Sequence, residues 1–350
     1  MVKELFEIKK SDRRWDFPVL AGLCVGIPML AGYLTGNLPG GKLASMAGLV
    51  ILYLQSSSVV VRMITLMSCS FGILVSFSLG LLCGFNPFVA SAFLGVLAFT
   101  VHLVLYYLKM TRPPGNFFFI MVASVALCMP YDVRLIPEKI GYVAIGTMLS
   151  CTLGLVYSIL TLSKTKSAAE VISVDKNKYV NFVESVTFGL TVGLSLLVAQ
   201  LLKLQNPYWV PTTCMAVMQG VSTRHVWQRS LQRVIGTLLG LGLAWGILLL
   251  KPTLLVMALG IIVLQTVVEW LVVRNYGIAV IFITILTIFL AESGASLTAN
   301  PTELITARLL DIVLGSLIGA FGGWMLYNER LQDVATRQMR KTKIALTKRR

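Results

Sequence analysis

Charged residues are scarce in this 350-residue chain. Asp, Glu, Lys and Arg together make up 13% of the residues, whereas 56% are hydrophobic, and the mean hydropathy is +0.81. A water-soluble domain cannot bury that much apolar surface, so the composition indicates an integral membrane protein. Short strands of alternating polar and apolar residues are also missing from the sequence, which excludes an outer-membrane barrel and predicts an all-α integral membrane protein.

The motifs of catalysis and metal binding are missing as well. The sequence has no phosphate-binding loop, no acidic metal cluster and no plausibly placed Ser-His-Asp arrangement. His102 stands in an apolar run and His225 in a basic loop. The six cysteines all fall inside apolar runs, where they suit packing rather than a disulfide framework or a metal site. We therefore expect that the protein is not an enzyme and that it has no metal and no cofactor. The expected energy source is an ion gradient or the substrate's own gradient.

The net charge of +15 could indicate either nucleic acid or a membrane surface. The basic residues stand next to apolar runs, where they set membrane topology and contact anionic lipids. Membrane lipids are therefore the expected partners, and nucleic acid is not. The charged opening, residues 1–16, and the long apolar run that begins at Phe17 predict no cleavable signal peptide.

Windows of helical length predict about twelve transmembrane helices, six on each side of a polar linker. The expected organisation is a cytoplasmic segment, a first six-helix region, a cytoplasmic linker, a second six-helix region and a basic cytoplasmic tail, at residues 1–16, 17–162, 163–179, 180–327 and 328–350. With the N-terminus in the cytoplasm, 24 Lys and Arg residues fall on that side and five on the other. This imbalance predicts that both termini are cytoplasmic.

The two six-helix regions are expected to be repeats. Gly22-x-x-x-Gly26 in the first span matches Gly189-x-x-x-Gly193 in the seventh. Further matches are Arg112 with Arg274, Glu138 with Glu303, and Gly154 with Gly319. Six spans is an even number, so the copies share one orientation and are related by an axis along the membrane normal. Arg62 can be matched with either Arg229 or Arg233.

The second and fifth spans of each region are predicted to be short. In the second region they are Tyr208–Gly220, which carries Pro211, and Gly277–Ala291. Short segments at matching places in two repeats favour a transport site, although they could also be fillers of a tilted bundle. Free helix ends at membrane depth are tolerated where they line protein or water.

Arg229 and Arg233 lie one helical turn apart and therefore share a face. A guanidinium matches a carboxylate well, so the pair could bind or attract an anion at the inner mouth of a pathway. Ordinary cytoplasmic anchoring at the start of the ninth span is the alternative.

Arg308 and Asp311 lie one turn apart in the last span, and ionisable residues there indicate function. The two could neutralise each other as an ion pair, or Asp311 could change partner and couple or gate movement. Tyr208 and Trp209 could stack on an aromatic ligand or form part of an interfacial aromatic belt. The glycines Gly236, Gly240, Gly315 and Gly319 are expected to let helix backbones approach closely.

The stretches YWVPTTCMAVMQG, RSLQRVIGTLLG and RLLDIVLGSLIG resemble the fusaric acid resistance (FUSC) family, which is related to aromatic acid exporters. The residues that carry the resemblance are Trp209, Pro211, Arg229, Arg233, Gly236, Thr237, Arg308, Asp311 and Gly315. The match is specific over about residues 205–325 and weak in the first half.

The resemblance implies an exporter of aromatic carboxylates or related toxic organic acids in the cytoplasmic membrane of a bacterium. A passive anion channel remains an alternative, because plant malate channels are distantly similar. A membrane scaffold that binds lipid or protein through its basic tail is a second alternative. Glycine-rich helices are also compatible with a homodimer.

Overall fold

The computed structural model describes residues 13–54, 58–108, 110, 113–161, 178–220, 222–292, 301–328 and 330. These residues form twelve α-helices and two short 3-10 helices, without a strand. The first half contains α1 to α6: Asp16–Leu34, Leu38–Gly48, Val59–Cys83, Pro87–Tyr107, Phe117–Leu127 and Ile136–Leu160, with 3-10 turns at Leu49–Tyr53 and Val133–Leu135. The second half contains α7 to α12: Lys178–Leu201, Trp209–Met218, Thr223–Leu249, Leu254–Val272, Tyr276–Glu292 and Pro301–Tyr327.

Several predicted features lie outside the described residues. They are most of the segment at 1–16, nearly all of the linker, the tail beyond residue 330, and Arg112. The side chain of Glu303 also lies outside them.

The helix lengths confirm a multi-pass α-helical membrane protein. Eight of the described helices are long and apolar enough to cross a membrane. The other four, α2, α5, α8 and α11, are apolar but shorter, which confirms the short second and fifth segments expected in each half. Twelve membrane-crossing helices were expected; among the described residues eight are long enough to cross and four are shorter. The ten residues of α8 rise only about 15 Å, half the thickness of a bilayer's hydrocarbon core.

Pro211 is compatible with the start of α8 because of its position. It is the third residue of the helix and is buried. The first turn of a helix has backbone N–H groups without intrahelical partners, so a residue that lacks this group removes no hydrogen bond there.

The two halves contact each other through α1 against α10 and through α4 against α7. Both contacts depend on the glycine pairs noted in the sequence. A β-carbon at Gly22 would lie 2.6 Å from the carbonyl oxygen of Ile262, and one at Gly189 would lie 2.6 Å from that of Gly95. The missing side chains therefore allow the backbones to touch.

Within each half, the second helix packs on the sixth and the third on the fifth. In the second half, Gly315 and Gly319 of α12 lie against the carbonyls of Val210 and Cys214 in α8. Gly236 and Gly240 of α9 lie against those of Gly277 and Ile281 in α11, and β-carbons at the four positions would come within 2.6–2.8 Å of the oxygens. These contacts are compatible with the packing role predicted for the four glycines, which stays a prediction.

The ends of the helices define two faces of the bundle. The Arg229 face carries the starts of α1, α7 and α9 and the end of α12. The Lys203 face carries the ends of α1, α7 and α9 and the start of α12. At the Arg229 face, Arg13 forms an ion pair with Glu269 of α10, and Arg62 donates a hydrogen bond to Thr161 (3.3 Å).

Replacing Gly189 by Ala is expected to destabilise the bundle, because the new methyl group would overlap the Gly95 carbonyl. Overpacking of this kind costs about 1–3 kcal/mol. A lower melting temperature of the purified protein in detergent would register the change. Gly242→Ala is the matched control, because a β-carbon at Gly242 has no neighbour within 4 Å. Equal melting temperatures for the two variants would contradict the expected role of the glycine.

Candidate functional site

Five of the described charged side chains are buried inside the second half, and three of them lie on the adjacent helices α9 and α12. Arg233 of α9 is 5% exposed, Arg308 of α12 is 6% exposed and Asp311 of α12 is 1% exposed. Charges at membrane depth are costly, and those that occur there face the protein interior and serve a function. Their surroundings therefore define the candidate site.

Arg308 joins three helices. Its guanidinium carbon lies 3.1 Å from the centre of the Trp209 ring at the start of α8, and its Nη2 donates a 2.8 Å hydrogen bond to the hydroxyl of Thr287 in α11. A cation over an indole face is stabilised by about 2 kcal/mol when it is desolvated. The side chain is therefore held where the two short helices of the second half meet α12.

Asp311 is one turn further along α12 than Arg308. Both of its carboxylate oxygens are buried, and neither accepts a hydrogen bond from the described residues. Arg308 thus donates to Thr287 and not to its neighbour on the same helix. A buried carboxylate without donors is a costly arrangement, so its presence in a native structure calls for an explanation.

An open pocket of about 390 Å³ reaches Asp311 from the Lys203 face. Its lining consists of Lys203, Leu204, Gln205, Thr306, Ala307, Leu310 and Asp311. Lys203 and Gln205 are exposed, and Lys203 has a positive φ of 51° in the turn between α7 and α8. The pocket therefore brings an exposed basic side chain close to the buried Asp311.

Arg233 lies deeper in the bundle than Arg229. The Ser230 hydroxyl of α9 donates to the Ser316 carbonyl of α12 (3.4 Å). Because the two helices run in opposite directions, this contact puts Arg233 level with about residue 313 of α12. The Nε atom of Arg233 is buried and has no hydrogen-bond partner among the described residues.

The side chain of Arg229 caps the C-terminal end of α8. Its Nε donates a 3.0 Å hydrogen bond to the carbonyl of Ala216 in the last turn of α8. Its guanidinium also lies 4.1 Å from the centre of the Tyr276 ring, at the start of α11. This hydrogen bond satisfies one of the carbonyls that the end of a helix leaves without an intrahelical partner.

Tyr208 contributes mainly through its backbone. Its carbonyl accepts a 2.7 Å hydrogen bond from the Thr212 hydroxyl and a longer one from Ser124 of α5. Its ring is tilted against Trp209, with 5.1 Å between the ring centres. The structure thus brings Trp209, Arg308 and Asp311 to one end of the second half and places Arg229 at the other end.

Sequence analysis did not identify Thr287, Tyr276 and Lys203 as parts of the site. The positions of Thr287 and Tyr276 depend on how α11 packs, which no local pattern of residues indicates. Lys203 lies in the turn after α7, and the polar KLQN sequence of that turn was the available signal. Within the described residues, no three His, Cys, Asp or Glu side chains are grouped as metal ligands would be.

Comparison with known proteins finds a family match over the part of the chain that contains this site. Residues 194–322 match the model of the family described as fusaric acid resistance protein-like. This region is similar to that family. The fusaric acid resistance protein-like region contains Trp209, Arg229, Arg233, Arg308 and Asp311, and it confirms the resemblance that these residues predicted.

One relative of the chain is known from Bacillus subtilis (strain 168). A stretch of 145 residues is 33% identical to the uncharacterized membrane protein YvaC of that organism. The stretch covers 41% of this chain but 23% of YvaC, so the chain spans less than a quarter of that relative. No solved structure matches the chain.

The contact between Arg308 and Trp209 is expected to stabilise the fusaric acid resistance protein-like region. A double-mutant cycle of Trp209→Leu and Arg308→Gln should therefore give a coupling energy of about 1–2 kcal/mol. It is measured from the unfolding of the purified protein in detergent. Arg224, which is exposed on α9, provides the control cycle with Trp209 and should show no coupling. Additive effects of Trp209→Leu and Arg308→Gln would contradict the contact.

Proposed function

We propose that the protein is a secondary transporter that exports organic anions, above all aromatic carboxylates, across the cytoplasmic membrane of a bacterium. Similarity to the fusaric acid resistance protein-like family supports a transporter-like role. The observation that carries the choice of an anion is Arg308, a buried cation that lies over Trp209 between two short helices. Its planar fork of N–H donors matches a carboxylate, and the neighbouring indole offers a surface for an aromatic ring.

Arg229 and Arg233 form the proposed entry. Arg233 lies one helical turn further into the bundle and is the more deeply buried of the two. A carboxylate from the cytoplasm would be attracted by these two charges and would then reach Arg308. Asp311 is the proposed coupling or gating group. Asp311 lies at the inner end of the pocket at the Lys203 face, where its carboxylate could exchange a proton or repel an anion that has not been released.

We also infer that the two halves are parallel repeats, and the contacts between the halves support this. Gly189 follows Gly22 by 167 residues, and Ile262 follows Gly95 by the same number. Gly22 meets the Ile262 carbonyl just as Gly189 meets the Gly95 carbonyl. A rotation that exchanges the halves would therefore exchange the α1–α10 contact with the α7–α4 contact.

Contacts within the halves support the same repeat in a revised register. Gly146 of α6 meets the carbonyl of Ala44 in α2, as Gly315 of α12 meets that of Val210 in α8. Both contacts join the second helix of a half to its sixth helix. The packing therefore supports matching Gly146 with Gly315.

The next turn of the same two helices gives the same register. The Ser150 hydroxyl donates to the carbonyl of Gly48, where Gly319 meets the carbonyl of Cys214. Ser150 is therefore matched with Gly319. The same spacing matches Gly154 with Gly323, rather than with Gly319 as the sequence suggested.

The register of α3 and α9 also differs from the expected one. Gly80 meets the carbonyl of Ala123 in α5, as Gly240 meets that of Ile281 in α11. Gly240 follows Gly80 by 160 residues. The same spacing matches Arg62 with Ser222. This register supports matching Arg62 with neither Arg229 nor Arg233.

The proposed orientation places the Arg229 face in the cytoplasm. Arg13, Arg14, Arg62, Arg229 and Arg274 lie at or near this face. It is the side to which the sequence assigns 24 Lys and Arg residues against five on the other, and basic residues are enriched on the cytoplasmic side. Both termini are then cytoplasmic.

Export is expected to depend on the buried arginines. In vesicles reconstituted with the purified protein, Arg233→Glu and Arg308→Gln should each reduce benzoate transport by at least about tenfold, because each removes a cation from the anion's path. Arg224→Gln changes an exposed arginine on α9 and should transport at close to the unchanged rate. Benzoate transport by Arg233→Glu at the unchanged rate would remove Arg233 from the proposed entry.

Asp311→Asn is expected to uncouple transport from a proton gradient. The amide cannot exchange a proton, so benzoate flux should lose its dependence on an imposed pH difference while downhill flux persists. The measurement compares benzoate flux with and without the gradient. Currents that follow voltage alone in the unmodified protein would instead identify a passive anion channel. Vesicles that transport none of a panel of aromatic and aliphatic carboxylates would favour a membrane scaffold.

A further inference from the structure

Buried polar atoms without partners are unevenly distributed between the halves. In the part of the chain that the structure describes, every buried side-chain nitrogen or oxygen without a hydrogen-bond partner belongs to a residue between Asn181 and Ser316. Native proteins leave few such atoms dry, because each costs about 1–3 kcal/mol. The second half therefore contains polar groups that the protein's own residues leave unsatisfied.

Most of these groups lie on the four helices that surround the candidate site. They are Thr213 of α8, Arg233 and Thr237 of α9, Tyr276 of α11, and Asp311 and Ser316 of α12. Two contacts bring the helices together at this depth: Gly315 packs against the Thr213 side chain, and Ser230 donates to the Ser316 carbonyl.

The spacing of the groups along the helices is short. Thr237 is one turn beyond Arg233, and Ser316 lies five residues beyond Asp311, a rise of about 7–8 Å. Asp311 in turn lines the pocket that opens at the Lys203 face. The unsatisfied groups thus continue from the pocket toward Arg233 in steps of about one to one and a half helical turns.

The first half has apolar side chains at four of the six matched positions, and at the other two the hydroxyl groups of Tyr142 and Thr147 donate hydrogen bonds. In the register supported by packing, Thr213 corresponds to Ala47, Arg233 to Ile73, Thr237 to Phe77 and Tyr276 to Phe118. All four of these first-half residues belong to one buried apolar cluster.

We propose that the route of the carboxylate runs inside the second half, as a hydrated cavity lined by α8, α9, α11 and α12, and that the first half is its closed apolar counterpart. This inference rests on the proposed export of carboxylates for the identity of the cargo. Water in the cavity would form hydrogen bonds with the hydroxyl groups and with the Asp311 carboxylate. The transported carboxylate would displace this water as the anion moves between Arg233 and Arg308.

Reaction of single cysteines with a water-soluble thiol reagent tests the location without measuring transport. Thr213→Cys and Ser316→Cys are made in a variant whose six native cysteines are replaced by alanine. The matched controls are Ala47→Cys and Thr147→Cys, which are as deeply buried: all four native side chains are at most 1% exposed. Each variant in membrane vesicles is exposed to 2-sulfonatoethyl methanethiosulfonate, and modification is measured by mass spectrometry.

We expect modification of the two second-half cysteines to be at least about tenfold faster than that of their first-half controls. Equal rates in both halves, or no reaction in the second half, would overturn the hydrated route. Because labelling does not depend on a cargo, a protein that labels as expected and yet transports no carboxylate would disprove the proposed export and leave the cavity in place.

A second measurement uses the chain with its native cysteines, in case their replacement prevents folding. Thr213→Val removes a hydroxyl group at nearly constant volume. If water satisfies that hydroxyl, the melting temperature should stay the same or fall, whereas removal of a dry, unsatisfied hydroxyl should raise it. A raised melting temperature would overturn the inference.

Discussion

The free-energy cost of holding a guanidinium group inside a membrane governs the second half of this protein. Arg308 is tolerated there because Trp209 covers its face and Thr287 accepts one of its hydrogen bonds. Both partners depend on short helices: α8 must begin where Trp209 can reach α12, and α11 must bring Thr287 to the same depth. The glycines of α12 allow this arrangement, since Gly315 and Gly319 bring α8 within reach.

Much of the architecture could be predicted from local sequence. Long apolar runs indicate membrane helices, and the lengths of α2, α5, α8 and α11 follow from the short runs that encode them. The glycine pairs Gly22/Gly26 and Gly189/Gly193 were recognisable because small residues four positions apart mark a helix interface. The composition of single segments was sufficient for each of these predictions.

The contacts of the site could not be predicted in the same way. Arg308 is closer in sequence to Asp311, its expected partner, than to Trp209, and only the packing of α8 beside α12 reveals the contact with the indole ring. The register of α9 was ambiguous because one arginine, Arg62, had two candidates. Packing supports a third match, which depends on the carbonyl that Gly240 meets and not on the arginines.

The direction of α8 has an electrostatic consequence. Its N-terminus lies beside Arg308, and its C-terminus is closed by Arg229. The aligned peptide dipoles of a helix act as about half a positive charge at the N-terminus and half a negative charge at the C-terminus. The dipole of α8 therefore reinforces the charge of Arg308 and offsets that of Arg229. Two arginines with the same formal charge thus lie at opposite ends of one helix dipole, which adds to the positive charge beside Arg308 and offsets it beside Arg229.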